Sequence, residues 1–388
     1  MGAWTALVAQ RAGMEVTLVD AYGAGHPRAT SGDETRIIRS AHAAERFYAQ
    51  WSRLARAEWI RFGEEIGETL FLPSGMLWFA HRDDGWESAS ERTLTELEVP
   101  VERFLPTEVQ ERWPQIATDD LTFALFEPEA GVLMARRGVA AVARAFQREG
   151  GRLALGWVKP GMARGRRLLE VRTADGGRLA AGSFVFAAGP WLPRVFPRLL
   201  GDLIRVTRQD VYFIGPSAGD GRFRPQTQPA WVDYDLGYYG IADVEGHGFK
   251  LAPDADGPPF DPSSDDRLTD PGTAARMRDY LALRFPALAK EPIIETRVCQ
   301  YETTPDTHFI IDRHPDLDNA ILVGGGSGHG FKHGPVIGRY VAGLVGADGG
   351  GNRVGAVPAA PDDRFSVTRR RQAAPHMRTG AARAGSGG

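Results

Sequence analysis

The 388-residue sequence contains a single cysteine, no long apolar run and almost no net charge. One cysteine cannot form an internal disulfide, so the fold is not built for stapling in an oxidising compartment. No apolar stretch approaches the roughly 18 residues of a membrane span, and the N-terminus lacks the pattern of a signal peptide. The 46 Lys and Arg residues nearly balance 49 Asp and Glu residues, which leaves no basic field for nucleic acid. These absences favour a cytoplasmic protein without nucleic-acid or membrane partners.

Apolar residues make up 43% of the sequence, enough to bury a large core and to form two domains. At the start of the chain Ala3, Ala6 and Leu7 recur at helical spacing, and Gly13 supplies a helix stop. The following "EVTLVD" reads as a strand that is buried on both faces and ends at Asp20. This order of helix, turn, strand and acid is typical of a dinucleotide-binding α/β domain.

The rest of the chain alternates between helical and strand periodicity. One apolar stripe predicts a long amphipathic helix and consists of Trp51, Leu54, Ala55, Trp59, Phe62 and Ile66. "SFVFAAGPW" reads as a buried strand that runs into a glycine turn, and residues 206 to 251 alternate like antiparallel strands. A helix near Ala274 to Phe285 leads back to the strand that holds Cys299. We therefore predict an α/β dinucleotide-binding domain that is interrupted twice by pieces of a second, antiparallel domain.

The first residues match only the later part of a dinucleotide-binding motif. In that motif a strand leads into a G-x-G-x-x-G turn at a helix N-terminus, and an acid about 20 residues further on binds a ribose hydroxyl. Gly2 falls at the position of the last glycine and Asp20 at that of the acid, while the first strand and two glycines are absent. The expectation is that the genuine gene product begins further upstream and that this chain binds its cofactor poorly or folds badly. The alternative is that Met1 starts a natural helix and that Asp20 is only a polar strand end.

Five ordered motifs carry a resemblance to a known family. They are "SGDETRIIRSAH", "FEPEAGVL", "FVFAAGPWLP", "CQYETTPDTHFIID" and "GGGSGHGFKHGPVIG". From Met1 to about Arg369 the chain resembles the monomeric sarcosine oxidase and N-methyltryptophan oxidase family of FAD-dependent amine oxidoreductases, which lies within the D-amino acid oxidase-like superfamily. Five motifs in order are far more specific than one glycine pattern.

The resemblance implies a particular division of the chain. A Rossmann-like FAD-binding domain is expected from residues 1–73, 132–204 and 297–348, and an antiparallel-sheet substrate domain from residues 74–131 and 205–296. The remainder, residues 349–388, is rich in Gly, Arg and Ser. Such a composition predicts a largely disordered tail.

Two residues are assigned to a substrate carboxylate by the resemblance. Arg39, the second arginine of "TRIIR", matches the family's carboxylate-binding arginine, and Lys332 of "GHGFK" matches its lysine partner. A bidentate guanidinium together with an ammonium suits a carboxylate. Arg36 and Arg39 would share one face of a helix but lie on opposite faces of a strand. Without the resemblance, both would be read as ordinary solvated arginines.

Three further residues are assigned to the reaction. Lys250 matches the lysine that in this family promotes the reaction of reduced flavin with oxygen, where a fixed cation would stabilise developing superoxide. As an ordinary strand lysine it would instead be solvated. Tyr239 and Tyr301 match pocket tyrosines near the substrate amine, and they could equally be core aromatics with a satisfied hydroxyl.

The resemblance also implies a set of FAD-binding residues: Gly2, Asp20, Arg36, Ala188, Gly189, Cys299, Gly326, Gly328, His329, Gly330 and Lys332. The glycines let the backbone approach a ligand closely, and the next helix N-terminus with Lys332 would stabilise negative charge on reduced flavin. Cys299 stands where sarcosine oxidases attach the flavin covalently. A lone buried thiol is more often a small hydrophobe, and the His329 ring could equally be structural. No metal site is predicted.

Two positions depart from the sarcosine oxidase pattern. Asp254 stands where those enzymes have a histidine four residues after the oxygen-activating lysine, and Gly32 replaces a histidine before "TRIIR". The substrate is therefore expected to differ from sarcosine. The leading hypothesis is a monomeric FAD enzyme that oxidises the C–N bond of a small secondary or N-methyl amino acid and passes electrons to oxygen. A dehydrogenase that reduces a quinone or carrier, and a truncated non-enzymatic relic without FAD, remain as alternatives.

Overall fold

The computed structural model describes residues 1–346 and 357–369. Their α-helices are α1 (Gly2–Arg11), α2 (Arg46–Ile66), α3 (Trp86–Glu96), α4 (Pro106–Arg112), α5 (Ala135–Arg148), α6 (Leu192–Val195), α7 (Pro197–Leu200), α8 (Pro271–Arg284) and α9 (Gly334–Leu344). None of these described helices is long and apolar enough to cross a membrane.

The strands of the first half of the chain are β1 (Thr17–Asp20), β2 (Thr35–Ile38), β3 (Phe71–Leu72), β4 (Met76–Ala80), β5 (Glu102–Phe104), β6 (Phe123–Glu127), β7 (Gly131–Met134), β8 (Arg152–Leu155), β9 (Val158–Pro160), β10 (Ala163–Arg164), β11 (Arg167–Leu168), β12 (Glu170–Thr173), β13 (Arg178–Ala180) and β14 (Phe184–Phe186). Those of the second half are β15 (Arg205–Ile214), β16 (Ala230–Asp233), β17 (Tyr238–Ile241), β18 (Phe249–Pro253), β19 (Ile293–Thr303), β20 (Ile310–His314) and β21 (Leu317–Gly324). The predicted mixture of helices and strands is confirmed.

The predicted opening helix and strand are present as α1 and β1, but the prediction that the strand is buried on both faces was wrong, because Thr17 is exposed and the next three residues are partly exposed. The helix buries Trp4 and Leu7, and the left-handed backbone of Gly13, with φ +89°, turns the chain towards β1. On its other side α1 packs closely against α9, because a Cβ on Gly338 would lie only 2.8 Å from the backbone of Trp4. Glycine at this position lets the two helices approach one another and anchors α9 beside the start of the chain.

The long amphipathic helix is α2, and its apolar stripe is narrower than predicted. Trp51, Ala55, Trp59 and Phe62 are buried at a spacing of three to four residues, whereas Leu54 is 38% exposed. The prediction for Leu54 was wrong because that residue falls at the flank of the stripe. The helix ends at Gly67, whose φ of +69° gives a left-handed cap.

Two groups of parallel strands lie in the segments that were predicted to bind the dinucleotide. β1 pairs in parallel with β8, and β14 pairs in parallel with β21, which also carries β20 on its other edge. Helices α1, α2, α5 and α9 bury their apolar faces in one core cluster with β21. Because α5 directly precedes β8 and α9 directly follows β21, helices connect and cover these strands as in α/β folds.

The second part is an eight-stranded sheet with the order β19-β15-β18-β17-β16-β4-β6-β5. Its pairs are antiparallel except for β16 with β4, and α8 packs on it through Met277 and Leu281. β19 pairs with β15 from Ile293 to Thr303. The domain boundary predicted at residue 297 therefore falls inside a strand of this sheet, because the hydrogen-bond ladder continues past it to the end of β19.

The prediction of a disordered tail was wrong for residues 357–369. Phe365 is 3% and Val367 5% exposed, and the Arg369 guanidinium forms an ion pair with Asp306 at 2.6 Å. Apolar burial and this buried ion pair hold the segment against the core, although the Gly-, Arg- and Ser-rich composition of residues 349–388 predicts a linker. The other residues of the predicted tail lie outside the described part of the chain.

A buried carboxyl on α3 gives a first testable prediction. Glu87 is 2% exposed, and burial followed by Asp235 and Asp233 raises its pKa from 4.5 to about 7. The unfolded chain loses this proton near pH 4.5, so stability falls as the pH rises from about 4.5 through 7, by roughly 3 kcal/mol at pH 8.5. We expect Glu87→Gln to raise the Tm by a few degrees at pH 8.5 and to leave it nearly unchanged at pH 5.

The control for this prediction is Glu96→Gln, which removes an exposed carboxylate from the same helix. Glu96 pairs with Arg46 at the surface, where ion pairs contribute little to stability. Thermal melts of both variants at the two pH values give the comparison. Equal Tm shifts for Glu87→Gln at pH 5 and pH 8.5 would show that the ionisation of Glu87 does not limit stability.

Candidate active site

A cavity of about 1110 Å³ lies between the parallel strands and the eight-stranded sheet. At one end it is lined by β1 and β14, and at the other by β15, β17, β18 and β19. Ligand pockets usually enclose roughly 300–1000 Å³, so this volume suits a large ligand. Every residue predicted to bind cofactor or substrate lines this cavity: Gly2, Asp20, Arg36, Arg39, Ala188, Gly189, Tyr239, Lys250, Cys299, Tyr301, Gly326, Gly328, His329, Gly330 and Lys332.

Asp20 marks the β1 end of the cavity. Its Oδ1 accepts hydrogen bonds from the backbone N–H groups of Tyr22 at 2.9 Å and Gly23 at 2.8 Å, which fixes the direction of the carboxylate. The Tyr22 ring lies 5.5 Å from the Trp157 ring and 5.7 Å from the Trp191 ring, centroid to centroid. An acid and an aromatic wall therefore meet at the carboxyl end of a parallel strand, where open α/β sheets bind their ligands.

Glycine turns form the middle of the cavity wall. Gly189 and Gly328 have φ values of +54° and +73°, in the left-handed region that favours glycine. A Cβ on Gly330 would lie 2.7 Å from Met1 Cε and 3.0 Å from Gly326 Cα. Side chains at these positions would fill the space beside the turn, so glycine keeps the backbone accessible to a ligand.

Glu302, a residue that sequence reasoning missed, faces the same turn. Its Oε1 accepts a hydrogen bond from the Gly326 N–H at 3.4 Å, while Oε2 has no hydrogen-bond partner among the described residues. Burial raises the pKa of this carboxyl to about 7. A buried, partly protonated carboxyl with an unmatched oxygen on a cavity wall indicates that a ligand supplies the missing partner.

Arg39 lies at the far end of the cavity, in an aromatic setting. It follows β2, and its guanidinium carbon lies 5.2 Å from the Trp78 ring and 5.7 Å from the Trp86 ring. One Nη donates to the Ala41 carbonyl and the other to the Tyr234 hydroxyl at 3.3 Å. These contacts hold the guanidinium plane in place by cation–π attraction and hydrogen bonding. Arg36 lies in β2 and Arg39 follows it directly, so of the two alternatives this segment is extended and not helical.

Lys332 adds a second buried cation near Arg39. Its Nζ donates to the His329 carbonyl at 3.2 Å. Burial, followed by the Arg39 guanidinium, lowers the pKa of Lys332 well below its usual value, and Glu127 partly opposes this. Glu127 accepts hydrogen bonds from the Ser40 N–H at 2.7 Å and from Trp78 Nε1 at 2.8 Å, so it also supports the loop after β2. Because an anion would relieve the repulsion between the two cations, this end of the cavity suits a carboxylate.

A second charged cluster surrounds Asp33, which sequence analysis had not singled out. Lys250, whose side chain is 2% exposed, pairs with Asp33 Oδ2 and donates to the Thr35 carbonyl at 3.1 Å. Arg36 and Arg297 pair with the same carboxylate at 2.6 and 3.1 Å. Burial alone would raise the pKa of Asp33, but these three cations outweigh it and lower the pKa. Arg297 also pairs with Glu34 at 3.2 Å and with Glu295 at 2.5 Å, so three cations face three carboxylates and the cluster is close to neutral.

Cys299 lies beside this cluster on β19. Its Sγ is 3.4 Å from Arg36 Nη2, and the side chain is half-buried on the cavity wall. A thiol that only filled space in a core would not need a cavity in front of it.

The two predicted pocket tyrosines lie on β17 and β19 of the large sheet, with β15 and β18 between them, and both line the cavity. Burial raises the pKa of Tyr239, with Arg36 opposing, so its hydroxyl stays protonated at physiological pH. The Tyr301 hydroxyl donates to Asp254 Oδ1 at 3.4 Å. Asp254, which replaces a histidine of the resembling family, therefore lies in the cavity next to a predicted site residue.

Parallel strands, glycine turns and buried cations surround one large cavity, an arrangement typical of α/β proteins that bind a dinucleotide. The family of FAD dependent oxidoreductases matches residues 1–344, so the chain belongs to this family and is an FAD-dependent oxidoreductase. The predicted family resemblance is confirmed.

Individual relatives agree with this assignment. The chain is 28% identical over 339 residues to monomeric sarcosine oxidase from Streptomyces avermitilis, covering 86% of this chain and 88% of the relative. It is 26% identical over 350 residues to N-methyl-L-tryptophan oxidase from Yersinia pestis, covering 88% and 91%. The fold is similar to that of L-proline dehydrogenase from P. horikoshii, with a TM-score of 0.80 over 94% of this chain and 93% of that chain at 20% identity.

The residues on the cavity wall fit FAD. The glycine turns leave room for a ligand against the backbone, and a Cβ on Gly2 would approach Ala187 Cβ to 3.2 Å, so α1 begins close to the end of β14. Asp20 is oriented to accept from a ribose hydroxyl, and Glu302 Oε2 offers an unmatched oxygen beside the Gly326 turn. Cys299 and Arg36 line the opposite part of the wall.

Proposed function

We propose that the protein oxidises the C–N bond of a small secondary or N-methyl amino acid and passes the electrons to oxygen, which forms hydrogen peroxide. The proposal is supported by one observation above all: Arg39, Lys332, Lys250 and Cys299 come from four separate segments of the chain and line the same cavity. It is also consistent with the names of the sequence relatives, which act on N-methylated amino acids.

Arg39 and Lys332 bind the substrate carboxylate in this proposal. The stacked, hydrogen-bonded Arg39 guanidinium is held in one orientation, so little freedom is lost when it pairs with an anion. Burial and Arg39 lower the pKa of Lys332, and a bound carboxylate would raise this pKa again and favour the charged ammonium. Anchoring one end of the substrate positions the C–H bond of the amine carbon at a defined place in the cavity.

FAD, when bound, supplies the acceptor for the hydride that leaves the amine carbon. Tyr239 and Tyr301 hold the amine end by hydrogen bonds, and the neutral amine is the reactive form because its lone pair stabilises the developing imine. The imine then leaves the cavity and hydrolyses in water. Lys250 lies on the cavity wall, and its ammonium would stabilise the negative charge that develops on oxygen during reoxidation.

A dehydrogenase is the second candidate, and one observation favours it. The Lys250 ammonium is engaged by the Asp33 carboxylate and the Thr35 carbonyl, which reduces the charge that it can offer to oxygen. The two candidates differ in their product. Under air, an oxidase yields about one peroxide per amine oxidised; a dehydrogenase yields little peroxide but reduces an added quinone rapidly.

Cys299 gives a prediction about how the flavin is held. We expect a thioether between Cys299 Sγ and the 8α-methyl carbon of the flavin, since the thiol lines the cavity beside Arg36. This bond would replace the S–H and one methyl C–H, with oxygen as the two-electron oxidant. After acid precipitation, the wild-type pellet should keep its yellow colour, whereas Cys299→Ser should release the flavin into the supernatant.

Ser327→Ala is a matched control for this experiment, because it removes a different small polar side chain from the turn near the cavity. Its precipitated protein should remain yellow. If wild-type protein with stoichiometric flavin releases all of it on precipitation, the cofactor is not covalently bound and Cys299 has no attachment role.

A further inference from the structure

Three histidines form a buried cluster behind the substrate end of the cavity. They are His42 after β2, His329 in the glycine turn and His333 just before α9, and they are 1%, 5% and 0% exposed. Their ring centroids form a nearly equilateral triangle, with separations of 5.9, 5.8 and 6.1 Å. One nitrogen from each ring lies within 4.8 Å of the others. Such a concentration of imidazoles in a core is not required by packing.

Backbone carbonyls set the direction in which two of these rings present a lone pair. His42 Nδ1 lies 2.9 Å from the Ser40 carbonyl, and His329 Nε2 lies 3.0 Å from the Thr307 carbonyl. A carbonyl can only accept, so these nitrogens carry the protons, and His42 Nε2 and His329 Nδ1 keep their lone pairs. A hydrogen bond from the second ring nitrogen to a carbonyl is the usual arrangement around a metal-bound histidine.

The lone pairs of two rings also lack a protein partner. Among the described residues, His42 Nε2 and both nitrogens of His333 have no hydrogen-bond partner. A buried, unpaired polar atom is costly, by roughly 1–3 kcal/mol each. The Tyr48 ring covers the cluster, with its centroid 5.2 to 5.7 Å from each imidazole centroid. An aromatic face does not replace the missing hydrogen bonds of these nitrogens. A ligand that accepts several lone pairs at once would satisfy these atoms together.

We propose that His42, His329 and His333 bind one divalent transition-metal ion of the zinc type. Neutral imidazoles suit zinc, copper and nickel, and three histidines with one further ligand form a common zinc site. Nitrogens of a tetrahedral zinc site lie about 3.4 Å apart, so the rings need to move inward by about 1 Å. Arg39 and Lys332 face the cluster and oppose a cation, which makes an anionic fourth ligand favourable.

The ion would fix the turn that carries a proposed substrate-binding residue. Lys332 lies next to His333 in the chain, and its Nζ donates to the carbonyl of His329. Binding of both histidines to one ion therefore restrains the backbone on each side of Lys332. The metal proposal does not depend on the substrate or on catalysis, because metal content is measured without turnover.

The experiment uses the full-length flavin-containing protein, stripped with a chelator, loaded with excess zinc and separated by gel filtration. We expect about one zinc ion per chain by elemental analysis. His42→Gln and His333→Gln should each retain at least tenfold less zinc. His308→Gln is the matched control, because His308 stacks on the same Tyr48 ring outside the cluster, and it should retain about one ion.

Cobalt provides a second measurement that needs no variant. Cobalt-loaded wild-type protein should show the visible absorption of a four-coordinate nitrogen site, and the Tm should rise on loading. The proposal is wrong if stripped wild-type protein retains no zinc and shows no such cobalt bands, as expected if the cluster holds only water. It is equally wrong if folded His42→Gln retains one zinc ion, because the ion is then bound elsewhere.

Discussion

Replacing Arg39 with methionine is expected to lower kcat/KM for the preferred amino acid by about 10²- to 10³-fold, the largest effect that we predict. Loss of one partner from a buried charge pair weakens the interaction by roughly 3–4 kcal/mol of binding free energy. Each 1.4 kcal/mol corresponds to a factor of about ten in the binding constant. Methionine keeps an unbranched apolar stem beside Trp78 and Trp86 but lacks the guanidinium that would pair with a carboxylate. Steady-state kinetics on the purified flavoprotein measure the effect.

A substrate analogue provides the sharpest control for the Arg39 variant. With the corresponding N-methyl amine that lacks the carboxylate, wild-type and Arg39→Met protein should have similar, low values of kcat/KM. Arg137→Met, which removes a half-exposed guanidinium paired with Glu245 at the surface, should leave both substrates unaffected. An Arg39→Met penalty that is equally large for the analogue would show that Arg39 does not bind a carboxylate.

Replacing Lys250 with methionine is expected to slow the reaction of the reduced protein with oxygen by about 10²- to 10³-fold, the usual effect of losing one fixed group that stabilises developing charge. The reduction of the flavin by substrate should change by no more than a few fold. Asp33 remains compensated by Arg36 and Arg297 in this variant, so the fold is expected to survive. Stopped-flow mixing of anaerobically reduced protein with oxygenated buffer measures the rate.

Lys290→Met, at an exposed lysine, is the control for Lys250→Met and should react with oxygen at the wild-type rate. Reoxidation of Lys250→Met at the wild-type rate would remove Lys250 from the oxygen reaction. Slow reoxidation of the wild-type protein itself, together with rapid quinone reduction, would favour the dehydrogenase.

Local sequence patterns predicted the elements that hold the candidate site. The apolar period of α2, the glycine stop after α1 and the alternation of the large sheet follow from interactions within a few residues. The positions of Arg39, Lys250, Cys299 and Lys332 became meaningful only through the family resemblance, because each looks ordinary in its own segment. The cavity then brings together residues from β2, β18, β19 and the turn before α9.

The residues that the sequence did not reveal act through long-range contacts. Asp33 is one acid in a polar stretch, and its importance comes from the three cations that other strands place around it. Glu302 gains its raised pKa from burial beside a turn more than 20 residues away. Packing of Phe365 against the core and the pairing of Arg369 with Asp306 likewise depend on partners far along the chain, which composition cannot indicate.

Anaerobic mixing of the FAD-loaded protein with N-methyl and cyclic amino acids tests the central claim most directly. If one cavity holds the flavin beside a carboxylate anchored by Arg39 and Lys332, at least one of these amino acids bleaches the visible flavin absorption, and admission of oxygen restores it. A protein with stoichiometric, correctly bound FAD whose spectrum is unchanged by the whole panel would contradict the account.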